Sequence, residues 1–438
     1  MLQDLIRDVK RASAIQLTGR VEALEGLRIE ASGPRTALRI GALAHIGAPN
    51  GPLAEIVGFR GELAVLLACE ESQAVYPGAK VFFQTEPAVL YPSDKWLGRV
   101  VDPFGLPMDG GPELPHGPYA KPVDAPPPSA HTRSRIEERL HLGVRVMDLF
   151  TPCGQGQRLG LFAGSGVGKS TLMGMLAKGA DADVIVIGLI GERGREVREF
   201  VEDALGADGL ARSVIVTATS DAPAPARKRA AMSALAVAEY FRDQGRQVLC
   251  LLDSVTRFAM AQREIGLAAG EPPTTRGYTP SVFAELPKLL ERAGPGKQGS
   301  GGITGLFTVL VDGDDHNEPV ADAVRGILDG HIVMSRHIGE RGRYPAVDIL
   351  KSLSRLASQL HGPEEAELVR NVRRLISTYS DMEELIRIGA YAPGADPETD
   401  RAIRLNEGLN EFLTQSQSDP TAPDAVFDAL RQIYDASA

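Results

Sequence analysis

Residues 158–172 read RLGLFAGSGVGKSTL, in which an apolar run breaks into three glycines and a helical pattern follows. The run at 159–162 predicts a buried strand, and Lys169 opens the helix. This order of strand, glycine loop and helix is the context that a phosphate-binding loop requires. The glycines let backbone N–H groups converge on phosphate oxygens at a helix N-terminus, where negative charge is favoured. The usual first glycine of the pattern is Ala163 here, but the rest of the pattern predicts a nucleoside triphosphate site.

The loop is expected to supply side chains as well as backbone groups. The ammonium of Lys169 would reach the β- and γ-phosphates, and the hydroxyl of Ser170 would ligate Mg²⁺. The predicted nucleotide-binding residues of the loop are Gly164, Ser165, Gly166, Val167, Gly168, Lys169, Ser170 and Thr171. A turn with a purely structural role is the alternative, and few such turns need three glycines followed by Lys-Ser.

Composition limits the class of protein. A chain of 438 residues is long enough for two or three domains, and 43% apolar with 24% charged residues is ordinary for a globular protein. The net charge of −10 argues against a surface devoted to nucleic acid. Cys69, Cys153 and Cys250 are scattered without metal-ligand spacing, which favours core thiols in a reducing cytoplasm. No apolar run approaches the roughly 20 residues needed to span a bilayer, so we expect a cytoplasmic protein unless a partner recruits it.

The residue pattern changes three times along the chain. Residues 1–15 form an amphipathic segment that could dock on a partner, lie on a membrane or pack on its own domain. Residues 16–88 contain short β-rich runs between glycines, which indicate a small barrel or sandwich. Strands and helices alternate in 89–362, as in a mainly parallel sheet covered by helices, and 363–438 is predicted to be helical.

The alternating region contains the clearest individual predictions. Beyond the strand of the phosphate loop, the predicted strands are 184–188, 214–218, 248–252, 306–311 and 331–334. The predicted helices are 222–245, 364–388 and 398–415.

Asp253 ends the apolar run at 248–252. A carboxylate at the carboxyl end of a strand, in a chain with a phosphate loop, suits a Walker B role that holds Mg²⁺ through water or Ser170. A helix N-cap for the segment beginning at Ser254 is the alternative.

Glu192 follows another predicted strand, and ligands of an open parallel sheet lie at the carboxyl ends of its strands. A carboxylate there can orient the attacking water and accept its proton. The alternative is a surface ion-pair network with Arg193, Arg195, Glu196 and Arg198, and the sequence alone does not separate these possibilities.

Residues 345–354, PAVDILKSLS, match the P-A-V-D-x-x-x-S-x-S signature of the rotary ATPase catalytic-subunit superfamily at each specified position. The Gly-Glu-Arg segment at 191–193, the phosphate loop and Asp253 also occur in the order expected for that superfamily. The chain therefore resembles the rotary ATPase superfamily.

Other segments resemble its type III secretion branch, namely RGYTPSVF at 276–283, LPKLLERAG at 286–294 and IRIGAY at 386–391. Within that branch the chain is most similar to the flagellum-specific export ATPases. The resemblance covers about residues 16–415. It implies a RecA-like P-loop ATPase domain with a mainly parallel sheet, a small β-barrel before it and a small helical domain after it.

The resemblance also implies roles for individual residues. Glu192 would be the catalytic carboxylate, and Lys169 would act with it on the phosphates. Tyr344 resembles the aromatic residue that packs on adenine, although a half-buried structural tyrosine is the alternative. Arg355 resembles the arginine finger that a neighbouring subunit contributes. Arg193 and Arg257 are weaker candidates for transition-state or interface contacts.

The implied function is that of a Mg²⁺-dependent, ATP-hydrolysing homohexameric motor for type III export of flagellar proteins across the bacterial inner membrane. The implied partners are a stator-like regulator, a central coiled-coil stalk protein, export chaperones with their substrates, and the membrane export gate. Residues 312–319 resemble a partner-contact loop more than a metal site, because their acidic spacing matches no ligand template.

Four alternatives remain at this point. A non-catalytic nucleotide-binding subunit is disfavoured by the presence of Glu192. The ATPase of a virulence injectisome would share the same core motifs. The catalytic subunit of an ATP synthase is disfavoured by residues 276–283 and by the short helical domain. A ring-shaped nucleic-acid motor is disfavoured because 16–86 has few aromatic residues and lacks a basic cluster.

Overall fold

The computed structural model describes residues 16–70, 75–84, 87–297, 299–311, 318–417, 419 and 421–438. The amphipathic segment predicted for 1–15 and most of the loop predicted for 312–319 lie outside these residues.

The strands are numbered in chain order. They are β1 Leu17–Glu25, β2 Arg28–Ser32, β3 Leu43–Ile46, β4 Leu53–Arg60, β5 Leu63–Ala68, β6 Lys80–Phe83, β7 Val89–Leu90, β8 Arg99–Val101, β9 Lys121–Pro122, β10 Arg139–Leu140, β11 Cys153–Gly154, β12 Arg158–Ala163, β13 Val184–Glu192, β14 Ser213–Thr219, β15 Val248–Asp253, β16 Gly294–Pro295, β17 Gly302–Leu310, β18 Gly330–Met334 and β19 Val347–Ser354.

The α-helices are numbered in the same way. They are α1 Arg145–Phe150, α2 Lys169–Gly179, α3 Gly194–Glu199, α4 Gly206–Ala211, α5 Ala224–Arg242, α6 Val255–Ala268, α7 Pro280–Leu290, α8 Pro319–Ile327, α9 Arg336–Glu340, α10 Ala357–Leu360, α11 Pro363–Arg387, α12 Pro397–Leu413 and α13 Pro423–Ala436. A π-helical turn at Phe200–Leu205 joins α3 to α4.

The first six strands close into a barrel in the order β1-β2-β5-β4-β3-β6. Its interior is filled by alternating small and branched side chains such as Val21, Ala44, Ile56 and Val81. Closure leaves no free sheet edge among these strands. Of the two architectures that the sequence left open, the structure therefore has the barrel.

The central sheet has the order β19-β18-β12-β17-β15-β13-β14-β8. Neighbouring strands from β18 to β8 pair in parallel, and β19 is antiparallel at one edge. Parallel strands covered on both faces are nearly continuous apolar runs, and all six residues of β15 are buried accordingly. The fold class expected from the sequence is confirmed.

Helices cover both faces of this sheet. Along β12, Leu161 points into the core formed with α2, whereas Phe162 points into the opposite core, formed with α5, α6 and α7. The barrel packs on the second layer through Val57, Val65 and Leu67, which contact Ile265 of α6 and its neighbours.

The pairing of the strands positions the functional end of the sheet. β12 ends at Ala163, β13 at Glu192 and β15 at Asp253, and parallel pairing places these ends at one edge. β17 lies between β12 and β15 and ends at Leu310 of the same edge. The first turn of α2 therefore faces the ends of four strands.

The predicted strands and helices of this region are observed with small shifts in their ends. The predicted helix at 222–245, for example, is α5. Other elements had no individual prediction, among them the strands β8 and β19 and the helices α6, α7 and α13. The sequence does not predict β19 as a strand because its exposed and buried positions do not alternate regularly.

The C-terminal helices α11, α12 and α13 pack on the α2 side of the sheet through Val372, Leu405 and Leu430. Gln415, which follows α12, links them to the rest of the chain and is 4% exposed. Its side chain accepts a hydrogen bond from the backbone N–H of Arg145 at 3.0 Å and donates one to the carbonyl of Gly143 at 2.9 Å. Its backbone N–H donates to the carbonyl of Tyr344 at 2.8 Å.

We predict that Gln415→Leu lowers the free energy of unfolding by about 2–4 kcal/mol, because it preserves volume but leaves three part-buried backbone groups, of Gly143, Arg145 and Asp419, without their side-chain partner. Chemical denaturation of the full chain measures the effect. Gln432→Leu, at an exposed position of α13, is the matched control. Equal stability of the two variants would contradict the linking role of Gln415.

Candidate nucleotide site

The glycine loop between β12 and α2 has the backbone that the sequence pattern requires. Gly166 and Gly168 have φ angles of +77° and +89°, which residues with a side chain rarely adopt. Ala163, at the place of the usual first glycine, still belongs to β12 and is buried in the core. The departure from the pattern is therefore accommodated inside the strand, before the loop turns.

The loop opens onto a cleft of about 560 Å³. Ser165, Ser170 and Thr171 are exposed, whereas Val167 is 3% exposed and anchors the loop in the core. Beyond the loop, the cleft is lined by Gly191, Glu192, Arg193, Glu196, Ser220, Arg257, Leu310 and Val311. The size of the cleft, the exposed loop and the N-terminus of α2 suit the binding of a polyphosphate group.

Lys169, Glu192 and Asp253 meet at the base of this cleft. The ammonium of Lys169 contacts Oδ1 of Asp253 and lies 3.7 Å from Oε1 of Glu192. Their side chains are 13%, 15% and 5% exposed, respectively. Two carboxylates thus share one ammonium in a place with little water.

This environment raises the pKa of Glu192 from 4.5 to about 7. Burial is the largest cause, and the negative charge of Asp253 adds to it, while the ammonium of Lys169 opposes both. A carboxyl whose pKa lies near neutrality can both accept and release a proton at physiological pH.

The carboxylate of Asp253 accepts from two side chains. Besides Lys169, the hydroxyl of Thr308 donates a hydrogen bond to Oδ1 of Asp253 at 2.6 Å. The N-cap alternative for Asp253 is wrong, because Ser254 caps α6 and its side chain accepts from the N–H of Arg257. Both donors to Asp253 reach the same oxygen, Oδ1. The second carboxylate oxygen and the hydroxyl of Ser170 are oxygen ligands of the kind that Mg²⁺ takes.

The structure contains surface ion pairs in this segment, but Glu192 does not take part in them. Arg193, Arg195 and Arg198 pair with carboxylates of their own helical segment, at Glu196, Glu199 and Glu202. The ion-pair partner of Glu192 is Lys169.

Tyr344 lies beside the glycine loop of its own chain. A β-carbon placed on Gly168 would be 3.5 Å from the ring of Tyr344. Tyr344 is 44% exposed. This exposure fits both the adenine-packing role and the half-buried structural alternative, so the role of Tyr344 stays a prediction.

Arg355 lies at the opposite end of the sheet, where the parallel strands begin. It follows β19, which runs antiparallel to β18, and its backbone N–H donates to the carbonyl of Asp329 at 3.0 Å. Asp329 also accepts from the N–H of Arg158, the first residue of β12. The phosphate loop begins after the last residue of β12, roughly 17 Å away at about 3.3 Å per residue. Arg355 cannot reach the phosphate loop of its own chain.

Two further residues of the site were not found from the sequence. The guanidinium of Arg336, at the start of α9, donates to the carbonyl of Ser165 in the glycine loop at 3.0 Å. Thr308 is the second. Neither belongs to a motif, and a threonine in an apolar strand signals only β-propensity. Of the weaker candidates, Arg257 lies with its side chain against Gly191 at the cleft.

The three cysteines are buried and free, as expected for core thiols. Burial raises the pKa of the Cys250 thiol to about 12, which keeps it protonated and unreactive. Within the described ranges, no group of three or more His, Cys, Asp or Glu side chains could hold a metal ion.

Comparison with known proteins identifies the family. Residues 143–354 match the nucleotide-binding domain of the ATP synthase alpha/beta family, and residues 362–432 match the C-terminal domain of type III secretion ATPases of the EscN type. A flagellum-specific ATP synthase of Caulobacter vibrioides is 57% identical, with 99% of each chain covered. The chain belongs to the ATP synthase alpha/beta family.

Other relatives place it in the type III secretion branch. A type 3 secretion system ATPase of Xanthomonas euvesicatoria is 45% identical and covers 95% of this chain and 94% of its own. The assembled ATPase EscN of enteropathogenic E. coli is 43% identical, with a TM-score of 0.89 over 95% of this chain and 100% of that chain. EscN in complex with its central stalk EscO gives a TM-score of 0.87 at 42% identity, over 95% and 100% of the two chains.

The family comparison confirms the resemblance that the sequence motifs indicated. The chain is an ATPase of this family, and its nucleotide is the substrate. The 57% identity to a flagellum-specific relative, against 45% to a secretion-system relative, agrees with the flagellar interpretation over the injectisome alternative. None of the helices in the described part of the chain is long and apolar enough to cross a membrane.

The raised pKa of Glu192 predicts a pH dependence of stability. Between pH 4.5 and about 7 the folded chain keeps this proton while the unfolded chain has lost it. Unfolding then releases a proton, so the contribution of Glu192 to stability decreases as the pH rises through this window. Glu192→Gln removes this titration, and its melting temperature relative to wild type should increase from pH 5 to pH 7.5.

Thermal denaturation at both pH values measures the difference, in which pH-independent effects of the substitution cancel. Glu384→Gln, at an exposed carboxyl of α11, should show no such increase. Parallel pH profiles for wild type and Glu192→Gln would contradict the raised pKa.

Proposed function

We propose that this chain is the Mg²⁺-dependent ATPase subunit that energises type III export of flagellar proteins across the bacterial inner membrane. The observation that carries the proposal is the meeting of Lys169, Glu192 and Asp253 beside a phosphate loop. The similarity to a flagellum-specific relative over nearly the whole chain supports the flagellar system.

The chemistry follows from how these groups are placed. Lys169 would leave Asp253 and turn to the β- and γ-phosphates, whose charge it offsets together with the N–H groups of the glycine loop. Glu192 would then orient the attacking water and accept its proton, for which a carboxyl at the wall of the cleft is well placed. Bound Mg²⁺ would supply charge neutralisation at the phosphate oxygens, held by Ser170 and, partly through water, by Asp253. Tyr344 would pack on the adenine.

The active form is proposed to be a homohexamer in which each site is completed by a neighbour. Arg355 lies at the end of the sheet away from its own phosphate loop and is exposed, so it is available to a different copy of the chain. An arginine supplied in trans to the γ-phosphate is a known way to stabilise the transition-state charge. EscN, which this chain resembles throughout, has been seen assembled.

The remaining partners are proposed on the same basis. EscN binds a central stalk, and we propose that a coiled-coil stalk protein occupies the corresponding place here. A stator-like regulator, export chaperones with their substrates and the membrane export gate complete the set, and would recruit the chain from the cytoplasm to the cytoplasmic face of the membrane. The domain division at 16–88, 89–362 and 363–438, and the partner-contact role of the loop at 312–319, also remain proposals.

Lys169→Ala and Glu192→Gln should separate binding from hydrolysis. Lys169→Ala should lose ATP affinity as well as turnover, because it removes a charge that offsets the phosphates. Glu192→Gln keeps the size of the side chain but cannot accept a proton, so ATP should bind while turnover falls by about 10²–10⁴-fold. Nucleotide affinity and phosphate release are measured on the same preparation.

Equal loss of affinity in both variants would show that Glu192 is structural. Wild-type affinity and turnover in Lys169→Ala would reject the nucleotide site itself.

Arg355→Ala tests whether sites are completed between subunits. ATP should still bind, because the glycine loop and both carboxylates are untouched, while hydrolysis should fall by roughly 10³–10⁵-fold. Mixing Arg355→Ala with Lys169→Ala should restore some activity, since a Lys169→Ala subunit still presents Arg355 to an intact neighbouring site. Phosphate release in verified mixed oligomers is the readout.

Arg370→Ala, at an exposed position of α11, is the matched control and should keep wild-type activity. Failure of the mixture to recover would sink the trans assignment. Full activity of Arg355→Ala alone would remove the arginine from the mechanism.

A further inference from the structure

Thr308 is a polar side chain in the middle of the most buried part of the sheet. It lies on β17, between the strand that leads into the phosphate loop and the strand that ends at Asp253. It is 1% exposed, and its hydroxyl donates to Oδ1 of Asp253 at 2.6 Å. A buried hydroxyl is costly unless its hydrogen bond is made, and this one makes its bond to a predicted metal-site residue.

The strand that carries Thr308 is hydrogen-bonded to a helix beside the site. Two residues further along β17, the N–H of Leu310 donates to the hydroxyl of Thr256 on α6 at 2.9 Å. The end of β17 is thereby tied to the helix that follows Asp253. This hydrogen bond helps to maintain the position of β17, and with it Thr308, relative to Asp253.

The second donor to the same oxygen belongs to a side chain that has another task. Lys169 contacts Oδ1 of Asp253, but in the proposed function its ammonium turns to the phosphates when nucleotide binds. The Asp253 side chain, 5% exposed, then loses one of its two donors and has little water to replace it. An unrestrained carboxylate in this place could rotate and present either oxygen to the cleft.

We propose that Thr308 is a positioning residue that holds Oδ1 of Asp253 when Lys169 turns to the nucleotide, so that Oδ2 stays aimed at the Mg²⁺ site. The proposal rests on the proposed function and adds to it a group that selects the orientation of the metal-binding carboxylate. Thr308 touches neither nucleotide nor metal and acts through Asp253.

The same strand provides a matched comparison. Thr304 is 2% exposed, lies four residues earlier on the same face of β17, and accepts a hydrogen bond from the N–H of Gly156 at 2.8 Å. Loss of its hydroxyl also removes a buried hydrogen bond, but at the opposite end of the strand. Thr304→Val therefore reproduces the structural consequence of Thr308→Val without the contact to Asp253.

The test measures binding of ADP to the full chain in MgCl₂ and in EDTA, and takes the ratio of the two affinities. Thr308→Val has the shape of threonine without the donor, and it should reduce the gain in affinity from Mg²⁺ by roughly 10–150-fold, as for loss of a hydrogen bond to a charged group. Affinity in EDTA should stay within about twofold of wild type, because Lys169 and the glycine loop are intact. Thr308→Ser keeps the hydroxyl and should keep the wild-type gain, and Thr304→Val should leave the gain unchanged.

An unchanged Mg²⁺ gain in Thr308→Val would overturn the proposal, as would an equal loss of affinity with and without Mg²⁺. If Thr308→Val does not fold, Thr308→Cys, which lacks the methyl group and has a thiol that is only a weak donor, takes its place and should reduce the gain as well. A wild-type chain without any Mg²⁺ gain would instead reject the proposed metal site, and with it the role of Thr308.

Discussion

The parallel pairing of β12, β17, β15 and β13 is the constraint on which the site depends. It brings the glycine loop, Asp253 and Glu192 to one edge although they are far apart in sequence. A shift of pairing by one residue would turn every side chain of a strand to the other face of the sheet. The apolar cores on the two faces resist such a shift, because Leu161 and Phe162 would exchange places. Packing far from the cleft therefore determines the distances within it.

The second feature of the site is that two carboxylates share one ammonium before nucleotide arrives. Glu192 and Asp253 share the ammonium of Lys169 where water is scarce, and the raised pKa of Glu192 is the direct consequence. In the proposed mechanism Lys169 would turn from Asp253 to the phosphates, and the hydroxyl of Thr308 would remain as the donor that holds the Asp253 carboxylate.

The edge strand β19 and Arg355, which follows it, form the surface that would complete the site of a neighbouring copy. β19 exposes Leu350 and Leu353, which are 40% and 48% exposed, and is followed by the exposed Arg355. An edge strand with apolar side chains is a surface that another copy can cover. This fits the proposed homohexamer, in which the same surface would carry the arginine to the neighbouring phosphate loop.

The sequence by itself determined the glycine loop with Lys169 and Ser170, because the motif is contiguous, and it placed Glu192 and Asp253 at the ends of strands that converge in a parallel sheet. The alternatives for Glu192 and Asp253 were decided only by the ion pair with Lys169 and by the cap at Ser254. It also determined the family, because the motifs are local and contiguous. Only the tertiary structure decided that Thr308 bonds to Asp253, that Arg336 contacts the glycine loop and that Gln415 holds the C-terminal helices, because these contacts join residues that no local pattern links. The distance of Arg355 from its own phosphate loop was equally undecided, because it follows from the antiparallel direction of β19, and strand direction is set by pairing rather than by the residues of the strand.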